Sequence, residues 1–450
     1  MPDDSAALRP AGLPIAIIGA GPIGLAAAAH LLARGLAPLV LEAGANAAAS
    51  VAAWRHVAMF SPWRFNIDTA ARVLLEASGW TAPDPDAYPT GGELIDRYLA
   101  PLAALPAMRA VIRTGTRVAG VSRRDHDLMR DGLRETTPFV IQTATADGRI
   151  AEFEAAAVID CSGTWTSPNP AGAHGLPASG EAVLSDRIAY GIPDIRAGGY
   201  AGLTTLVVGA GHSAMNVVLD LAALAQTAPG TSIAWAFRKP LGSVNFGGGA
   251  ADALAERGAL GARARALTEA GIVTALAPFS IADLSLTPAG RIRVLSRTGE
   301  ALAVDRIVVA AGFRPDMSFL HELRLGLDPA VQSTPALAPL IDPNIHSCGT
   351  VRPHGEAELR HPERNFWIAG IKSYGRAPTF LLATGHEQVR SIAAALAGDW
   401  DAARRVELDL PETGVCSGPV PQEGACCGPE AEPATACCTP APVAAGRCCG

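Results

Sequence analysis

The sequence predicts an α/β fold with two parallel sheets, the second inserted into the first, followed by a tail that has no core of its own. Two glycine-rich turns predict the sheets, because each turn stands between a short apolar strand and a helix. Pairs of adjacent cysteines mark the tail, because they recur every eleven residues in a stretch rich in Ala, Pro and Gly. We therefore expect one domain at 13–170 and 316–405, an inserted domain at 171–315 and a disordered tail at 411–450.

The composition limits the range of partners. With 450 residues the chain is long enough for two to three domains, and its net charge of −7 gives no reason to expect nucleic acid or an anionic membrane. The apolar run Ala11–Ala33 is interrupted by Gly19, Gly21 and Pro22, and no basic segment precedes it. It therefore predicts a strand, a turn and a helix rather than a signal or membrane segment. We expect a cytoplasmic protein with reduced thiols, and the sequence does not indicate an oligomeric state.

The first glycine-rich turn has every part of a dinucleotide-binding fingerprint. A predicted strand at 14–18 leads into a G-x-G-x-x-G turn made by Gly19, Gly21 and Gly24, and a helix follows. The next predicted strand ends in Glu42, whose carboxylate would accept hydrogen bonds from ribose hydroxyls. The helix amides and the helix dipole would bind a pyrophosphate. This order predicts a Rossmann-type site for an adenine dinucleotide with a free ribose.

The same pattern returns after a second predicted strand, 203–208. The turn that follows this strand consists of Gly209, Ala210, Gly211, His212, Ser213 and Ala214. Alanine is a permitted replacement for the third glycine of the motif. The next predicted strand ends in Arg238 and Lys239, where the first site has an acid. Two cations suit a 2′-phosphate, so we expect NADPH rather than NADH, with an ordinary solvated strand end as the alternative.

Two dinucleotide sites in one chain, the acidic one first, predict a flavoprotein with FAD in the outer domain and NADPH in the inserted one. Three further segments resemble flavin-containing monooxygenases, namely 157–170, 305–316 and 365–370. The resemblance implies a helix over 376–396 whose N-terminal amides face the flavin. It also implies cofactor contacts at Gly163, Gly312, Gly370 and Thr379.

Several related oxidoreductases are excluded by motifs that the chain lacks. It has neither the C-x4-C pair of disulfide reductases nor the C-x-x-C pair of thioredoxin reductase, and Cys161 and Cys348 stand far apart. The F-x-G-x-x-x-H fingerprint of Baeyer–Villiger enzymes is absent from 187–194. The group that still matches is the flavin-dependent monooxygenase encoded with arsenic-resistance genes. The segments 56–68 and 190–194 resemble that group, as does the Gly-His-Ser-Ala turn.

The resemblance implies that reduced flavin and O2 form a C4a-hydroperoxyflavin, whose electrophilic oxygen is attacked by a lone pair on a trivalent arsenical. Arg64 and Asn66 would lie near the flavin as catalytic residues, unless their segment only packs between the domains. Trp63 is equally a core residue or part of the substrate wall, and we include it among the expected cofactor contacts. Cys161 is expected to be a small buried residue, whereas Cys348 is equally a candidate substrate thiol and an idle one.

The tail predicts a ligand for soft ions. Adjacent cysteines bridge one another poorly but present thiolates that bind arsenic(III), mercury(II), copper(I) or zinc. The three pairs are Cys426 with Cys427, Cys437 with Cys438, and Cys448 with Cys449. Such a tail either delivers an arsenical to the flavin or sequesters it. Other interpretations remain open: a structural zinc tail, a monooxygenase of an organic amine or sulfide, and a non-catalytic metal-binding flavoprotein.

Overall fold

The computed structural model describes residues 10–408, except residue 146 and the ranges 244–245, 247–253, 346–350 and 378–379. All described residues fall within one compact unit. The predictions for Cys348, for Thr379 and for the cysteine pairs of the tail lie outside the described residues.

The strands are short and are separated by helices in the pattern that produces parallel sheets. In chain order they are β1 (Ile15–Ile18), β2 (Pro38–Leu41), β3 (Ile112–Arg113), β4 (Arg117–Arg123), β5 (Phe139–Ala144), β6 (Ile150–Ala155), β7 (Ala157–Asp160), β8 (Ile188–Tyr190), β9 (Thr204–Val208), β10 (Ser232–Ala236), β11 (Val273–Leu276), β12 (Ile281–Leu286), β13 (Ile292–Ser296), β14 (Ala301–Val304), β15 (Arg306–Val309) and β16 (Phe366–Ile368).

The helices cover the faces of these sheets. In chain order they are α1 (Pro22–Ala33), α2 (Ala49–Ala52), α3 (Thr69–Glu76), α4 (Gly91–Leu94), α5 (Ala100–Ala104), α6 (Pro106–Val111), α7 (His212–Thr227), α8 (Ala255–Glu269), α9 (Ala338–Ile341), α10 (Leu382–Leu396) and α11 (Trp400–Arg404). A π-helical turn at Ile95–Leu99 joins α4 to α5.

The outer domain is built on a parallel sheet with the strand order β16-β7-β1-β2-β3. Every residue of β1 and β7 is buried, as expected for strands that are covered on both faces. Helices α1 and α10 pack side by side, and Leu25, Leu31 and Val389 are fully buried in the core. Because β1 is central, the turn that follows it lies at the crevice where strand order reverses, which is where open α/β sheets bind ligands.

The inserted domain repeats this construction. Its parallel sheet has the order β11-β10-β9-β15-β8. The central strand is β9, which leads into the second glycine-rich turn. Antiparallel three-stranded sheets accompany both domains, β4-β5-β6 with the first and β12-β13-β14 with the second. The predicted fold class, a two-domain Rossmann-like α/β flavoprotein fold, is confirmed. The domain limits at 170 and 315 stay predictions.

Two chain segments connect the domains, and they run side by side. The backbone N–H of Asn169 donates to the carbonyl of Gly312 at 2.9 Å, and its side-chain amide donates to the carbonyl of Ala311 at 3.0 Å. The rings of Trp165 and Phe313 stack with their centroids 4.8 Å apart. The two connections therefore form one paired linker.

One predicted element differs from the structure. Helix α10 begins at Leu382, not near residue 376 as predicted. The N–H of Arg376 donates to the carbonyl of Val331 at 2.7 Å, and Leu381, which precedes the helix, is extended. Pro378 also disfavours the helical conformation in the residue before it. Within the described ranges, no helix has the length and apolar character needed to cross a bilayer.

Candidate active site

The first glycine turn has the shape of a phosphate cradle. Gly19 has a φ of +98°, and a Cβ on Gly24 would lie 1.9 Å from the carbonyl oxygen of Gly19. Both positions therefore require glycine, because any side chain would strain the turn or separate α1 from β1. Gly21 is extended at the start of α1, and a Cβ built there meets nothing within 4 Å. That open space in front of the helix amides fits the pyrophosphate of FAD.

Glu42 stands at the end of β2, beside this turn. Its Oε2 accepts a hydrogen bond from the N–H of Ala20, and its Oε1 accepts one from the N–H of Gly44, each at 2.7 Å. These two bonds fix a buried carboxylate at the mouth of the site. Each oxygen keeps a lone pair that a ribose hydroxyl can use. The role of Glu42 in ribose binding stays a prediction.

The second turn has the same construction. Gly209 has a φ of +126°, and Gly211 is extended at the start of α7 with nothing within 4 Å of an added Cβ. Ala214 is fully buried at the third glycine position. Ser213 lies in the first turn of α7, and the ring of His212 lies 5.7 Å from that of Phe60. The turn therefore fits a second pyrophosphate and touches the segment that carries the candidate catalytic residues.

The ends of β2 and β10 differ in charge and exposure. Arg238 and Lys239 follow β10 and are exposed, whereas Glu42 is buried. The Nη1 of Arg238 donates to the carbonyl of Ala173 at 2.8 Å. The end of β10 therefore carries positive charge where the end of β2 carries negative charge, and the role of Arg238 and Lys239 in binding a 2′-phosphate stays a prediction.

A family comparison assigns this arrangement. A family model described as pyridine nucleotide-disulphide oxidoreductase matches residues 16–240, which is half of the chain. The chain belongs to the pyridine nucleotide-disulphide oxidoreductase family. The expectations that it is an oxidoreductase and that it uses FAD and NADPH are thereby confirmed. No protein with a curated description matches the chain in sequence.

Solved structures share the fold of this oxidoreductase. A bacillithiol disulfide reductase of Bacillus cereus has a TM-score of 0.63 at 19% identity, over 86% of this chain and 99% of that one. A flavin-containing monooxygenase of Stenotrophomonas maltophilia has a TM-score of 0.53 at 21% identity, over 86% and 98%. A thioredoxin reductase of T. acidophilum has a TM-score of 0.53 at 15% identity, over the same shares. At these identities the likeness shows the fold alone.

The glycines predicted from the resemblance follow the ends of core strands. Gly163 comes after β7, Gly312 after β15 and Gly370 after β16, and all three have positive φ. The N–H of Gly370 donates to Oε1 of Gln388 in α10 at 2.7 Å. Sequence reasoning missed Gln388, whose fully buried side chain ties the end of β16 to α10. The cofactor contacts of these glycines stay predictions.

The segment at 60–68 does not bring its candidate residues together. Asn66 is fully buried, and its amide donates to the carbonyls of Ser61 at 2.8 Å and Pro62 at 3.1 Å. Trp63 is 1% exposed and packs in the main core. Arg64 points to the surface, where it pairs with Asp86. In this structure Asn66 fixes the turn, and the catalytic roles predicted for Arg64 and Asn66 stay predictions.

Asp68 anchors the end of this segment. Its Oδ2 lies 2.8 Å from Nε2 of His30 in α1, and its N–H donates to the hydroxyl of Tyr98 at 3.1 Å. Burial alone would raise the pKa of Asp68, but the charge and hydrogen bond of His30 outweigh it and lower that pKa. His386 in α10 is also buried, and burial lowers its pKa to about 4. Among the described residues, no hydrogen-bond partner faces its Nε2.

A buried ion pair connects the ends of β7 and β16. The Nζ of Lys372 lies 2.6 Å from Oδ2 of Asp160 and 3.1 Å from Oγ of Ser162, and both charged side chains are fully buried. In the sequence, Asp160 is recognisable only as a carboxylate at the end of an apolar strand. Its partner stayed hidden because Lys372 is 212 residues away.

Cys161 follows Asp160 and is buried, as expected. Burial, and then the charge of Asp160, raise the pKa of its thiol well above the usual value. Cys161 is the only cysteine in the described part of the chain. A protonated, enclosed thiol without a partner does not support thiol–disulfide exchange.

An open cleft of about 650 Å³ lies where the outer domain faces the loop after β8. Residues of α2, of the turn after it and of α4 form one wall, and Asp194 belongs to the other domain. Its charged and polar lining consists of Arg55, His56, Thr90, Glu93, Asp96 and Asp194. This volume is typical of small-molecule sites.

Proposed function

We propose that this oxidoreductase is an NADPH- and FAD-dependent monooxygenase of a trivalent arsenical. The observation that carries the proposal is the isolation of Cys161, the one cysteine among the described residues. Members of a disulphide oxidoreductase family that reduce disulfides need an exchangeable sulfur pair near the flavin. The described residues contain no such pair, and O2 is the acceptor that we propose for the electrons leaving the flavin.

The flavin, when bound and reduced by NADPH, supplies an electrophilic oxygen from O2 to a lone pair on arsenic. Arsenic is oxidised from the trivalent to the pentavalent state, one oxygen atom stays on it, and the other leaves as water. NADPH provides two electrons, and the second proton comes from solvent. Gly21 and Gly211 would lie against the two dinucleotides, and the buried Trp63 and Asn66 would help to keep water away from the flavin.

The tail supports arsenic as the substrate element. Its three pairs of adjacent cysteines match the soft ligands that arsenic(III) prefers. A ligand bound to a tethered segment is held at an effective concentration on the order of millimolar near the domain to which the segment is attached. Capture by the tail would then raise the concentration of substrate without changing the transition state.

The experiment compares the full chain with a variant that lacks residues 411–450, by arsenite- and methylarsenite-dependent NADPH oxidation. Flavin content and basal NADPH oxidation are expected to hold, because the deletion removes no part of the described core. The apparent KM for the arsenical should rise while kcat holds. A full-length variant with serine at the six paired cysteines is the matched control and should behave like the deletion.

Two results contradict parts of this proposal. If no arsenical stimulates either protein, arsenic is not the substrate. If stimulation occurs but neither the deletion nor the serine variant alters KM, the oxygenase assignment stands and the tail has no part in delivery.

The cleft favours a second candidate, a monooxygenase of an organic amine. Glu93, Asp96 and Asp194 line it against Arg55 and His56, and Arg55 is already paired with Asp96 at 2.7 Å. Glu93 and Asp194, which also accept hydrogen bonds from the backbone N–H groups of Thr90 and Arg196, carry the remaining negative charge. They would attract the ammonium form of an amine, which must lose its proton to solvent before its lone pair can take up oxygen. Amine-dependent NADPH oxidation that falls in Asp194→Asn would support this candidate. Turnover with arsenicals alone would exclude it.

A further inference from the structure

A group of cations surrounds the loop that follows the paired linker. We call Arg238, Lys239 and Arg297, together with the imidazole of His174 in the loop, the cationic cluster. Arg238 donates to the carbonyl of Ala173 at 2.8 Å, and Nη2 of Arg297 lies 3.3 Å from Nδ1 of the neighbouring His174. Arg238, after β10, and Arg297, after β13, therefore lie beside the same loop, and His174 of that loop accepts the hydrogen bond of Arg297.

The loop at this place is held from both sides. Arg238 binds the carbonyl of Ala173, and Nη2 of Arg314 donates to the carbonyl of Gly175 at 3.0 Å. The Nε of Arg314 also donates to Oδ1 of Asn169 in the linker at 3.1 Å. His174 lies between the two anchored carbonyls with its side chain exposed. A fixed loop presents this imidazole at little entropic cost on binding.

The positive charge of the cluster is not neutralised within the described part of the chain. Arg238, Lys239 and Arg297 form no ion pair there, and all three are exposed. By contrast Arg291, on the same antiparallel sheet, pairs with Asp305 at 2.9 Å. Cations gathered without a carboxylate repel one another, and an anion with several acceptor oxygens relieves that repulsion.

We infer that His174 and Arg297 complete, with Arg238 and Lys239, the subsite for the 2′-phosphate of NADPH. The position supports this, because the residue that reads the adenosine ribose stands at the end of the second strand of a Rossmann site, which is β10 here. A phosphate offers three acceptor oxygens, and the guanidinium of Arg297 and the Nε2–H of His174 offer donors beside those of Arg238 and Lys239. His174 and Arg297 thus determine the choice of NADPH over NADH. The inference rests on the use of NADPH and not on the identity of the oxygenated substrate.

The test measures equilibrium binding to the oxidised, FAD-loaded protein by calorimetry, with no substrate and no turnover. The ligands are NADP+ and NAD+, together with adenosine 2′,5′-bisphosphate and adenosine 5′-monophosphate. Arg297→Gln and His174→Gln should each weaken NADP+ and the bisphosphate about five- to tenfold, as expected for a lost charge-assisted hydrogen bond at an exposed site. Both variants should bind NAD+ and the monophosphate as the parent does.

Arg293→Gln is the matched control, because Arg293 is exposed on the same strand, β13, roughly 13 Å from Arg297 along an extended chain. It should leave NADP+ binding unchanged. The inference is overturned if Arg297→Gln and His174→Gln keep full NADP+ affinity, if they weaken NAD+ equally, or if Arg293→Gln causes the same loss. Flavin content and melting temperature show that each variant is folded. A failure of the arsenical proposal leaves these affinities untouched.

Discussion

Replacing Lys372 with Met tests how much the buried ion pair with Asp160 contributes to the stability of the outer domain. The change removes the only cation within hydrogen-bond distance of Asp160 among the described residues and leaves that carboxylate fully buried. Breaking a buried pair from one side costs roughly 3–5 kcal/mol, because the remaining charge is not compensated. For a domain of this size, that loss lowers the melting temperature by roughly 6–20 °C.

The double variant Asp160→Asn/Lys372→Met separates charge burial from packing. An asparagine oxygen can still accept the hydrogen bond that the N–H of Ser162 now donates to Asp160 at 2.9 Å. With both charges gone, most of the lost stability should return. Melting of the FAD-loaded proteins is followed by flavin fluorescence and circular dichroism. Arg72→Met, which breaks the exposed pair with Glu76, is the control and should cost less than about 1 kcal/mol. A double variant no more stable than Lys372→Met would refute the reasoning.

Two further predictions concern the cofactor and the pH dependence. Glu42→Ala should release FAD more readily on dilution than the parent, and equal retention would mean that the carboxylate does not serve the ribose. The pKa of His386 is about 4 in the folded chain, below the ordinary value of 6.5. Because the unfolded chain therefore binds the proton at a higher pH than the folded chain, the free energy of unfolding falls as the pH drops from about 6.5 to 4. His386→Gln should remove about 3 kcal/mol of that fall, as measured by urea unfolding of the parent and the variant at a series of pH values. If the free energies of unfolding of the two proteins change with pH in parallel, His386 is not a buried neutral imidazole.

Local signals predicted the parts of the site that depend on local geometry. Gly19, Gly24 and Gly209 are required by turns a few residues long, and the order strand, turn, helix was visible around each of them. The strand predicted to end in Glu42 is present as β2 and ends one residue earlier, at Leu41.

Contacts between distant residues were not predictable from the sequence. Lys372 and Asp160 come into contact because β16 pairs with β7, and neither segment contains a sequence pattern that predicts the other as its partner. His30 and Asp68 meet because α1 packs against α3. The resemblance points to Asn66 as a catalytic group, and that role stays a prediction. The structure adds that its amide donates to the carbonyl of Ser61, five residues away.

The paired linker has a consequence for how the chain folds. Strand β16 must find β7 across about 200 residues, a loop closure whose entropic cost grows with length. Once the inserted domain has folded, Pro168 and Phe313 lie side by side, so the loop that remains to be closed is only about 60 residues long, which lowers the closure cost by about 1 kcal/mol. The folded inserted domain thus brings the two parts of the outer domain close together before β16 pairs with β7. A short peptide joining residue 168 to residue 313 would do the same, so the FAD-binding half should fold without its NADPH-binding half.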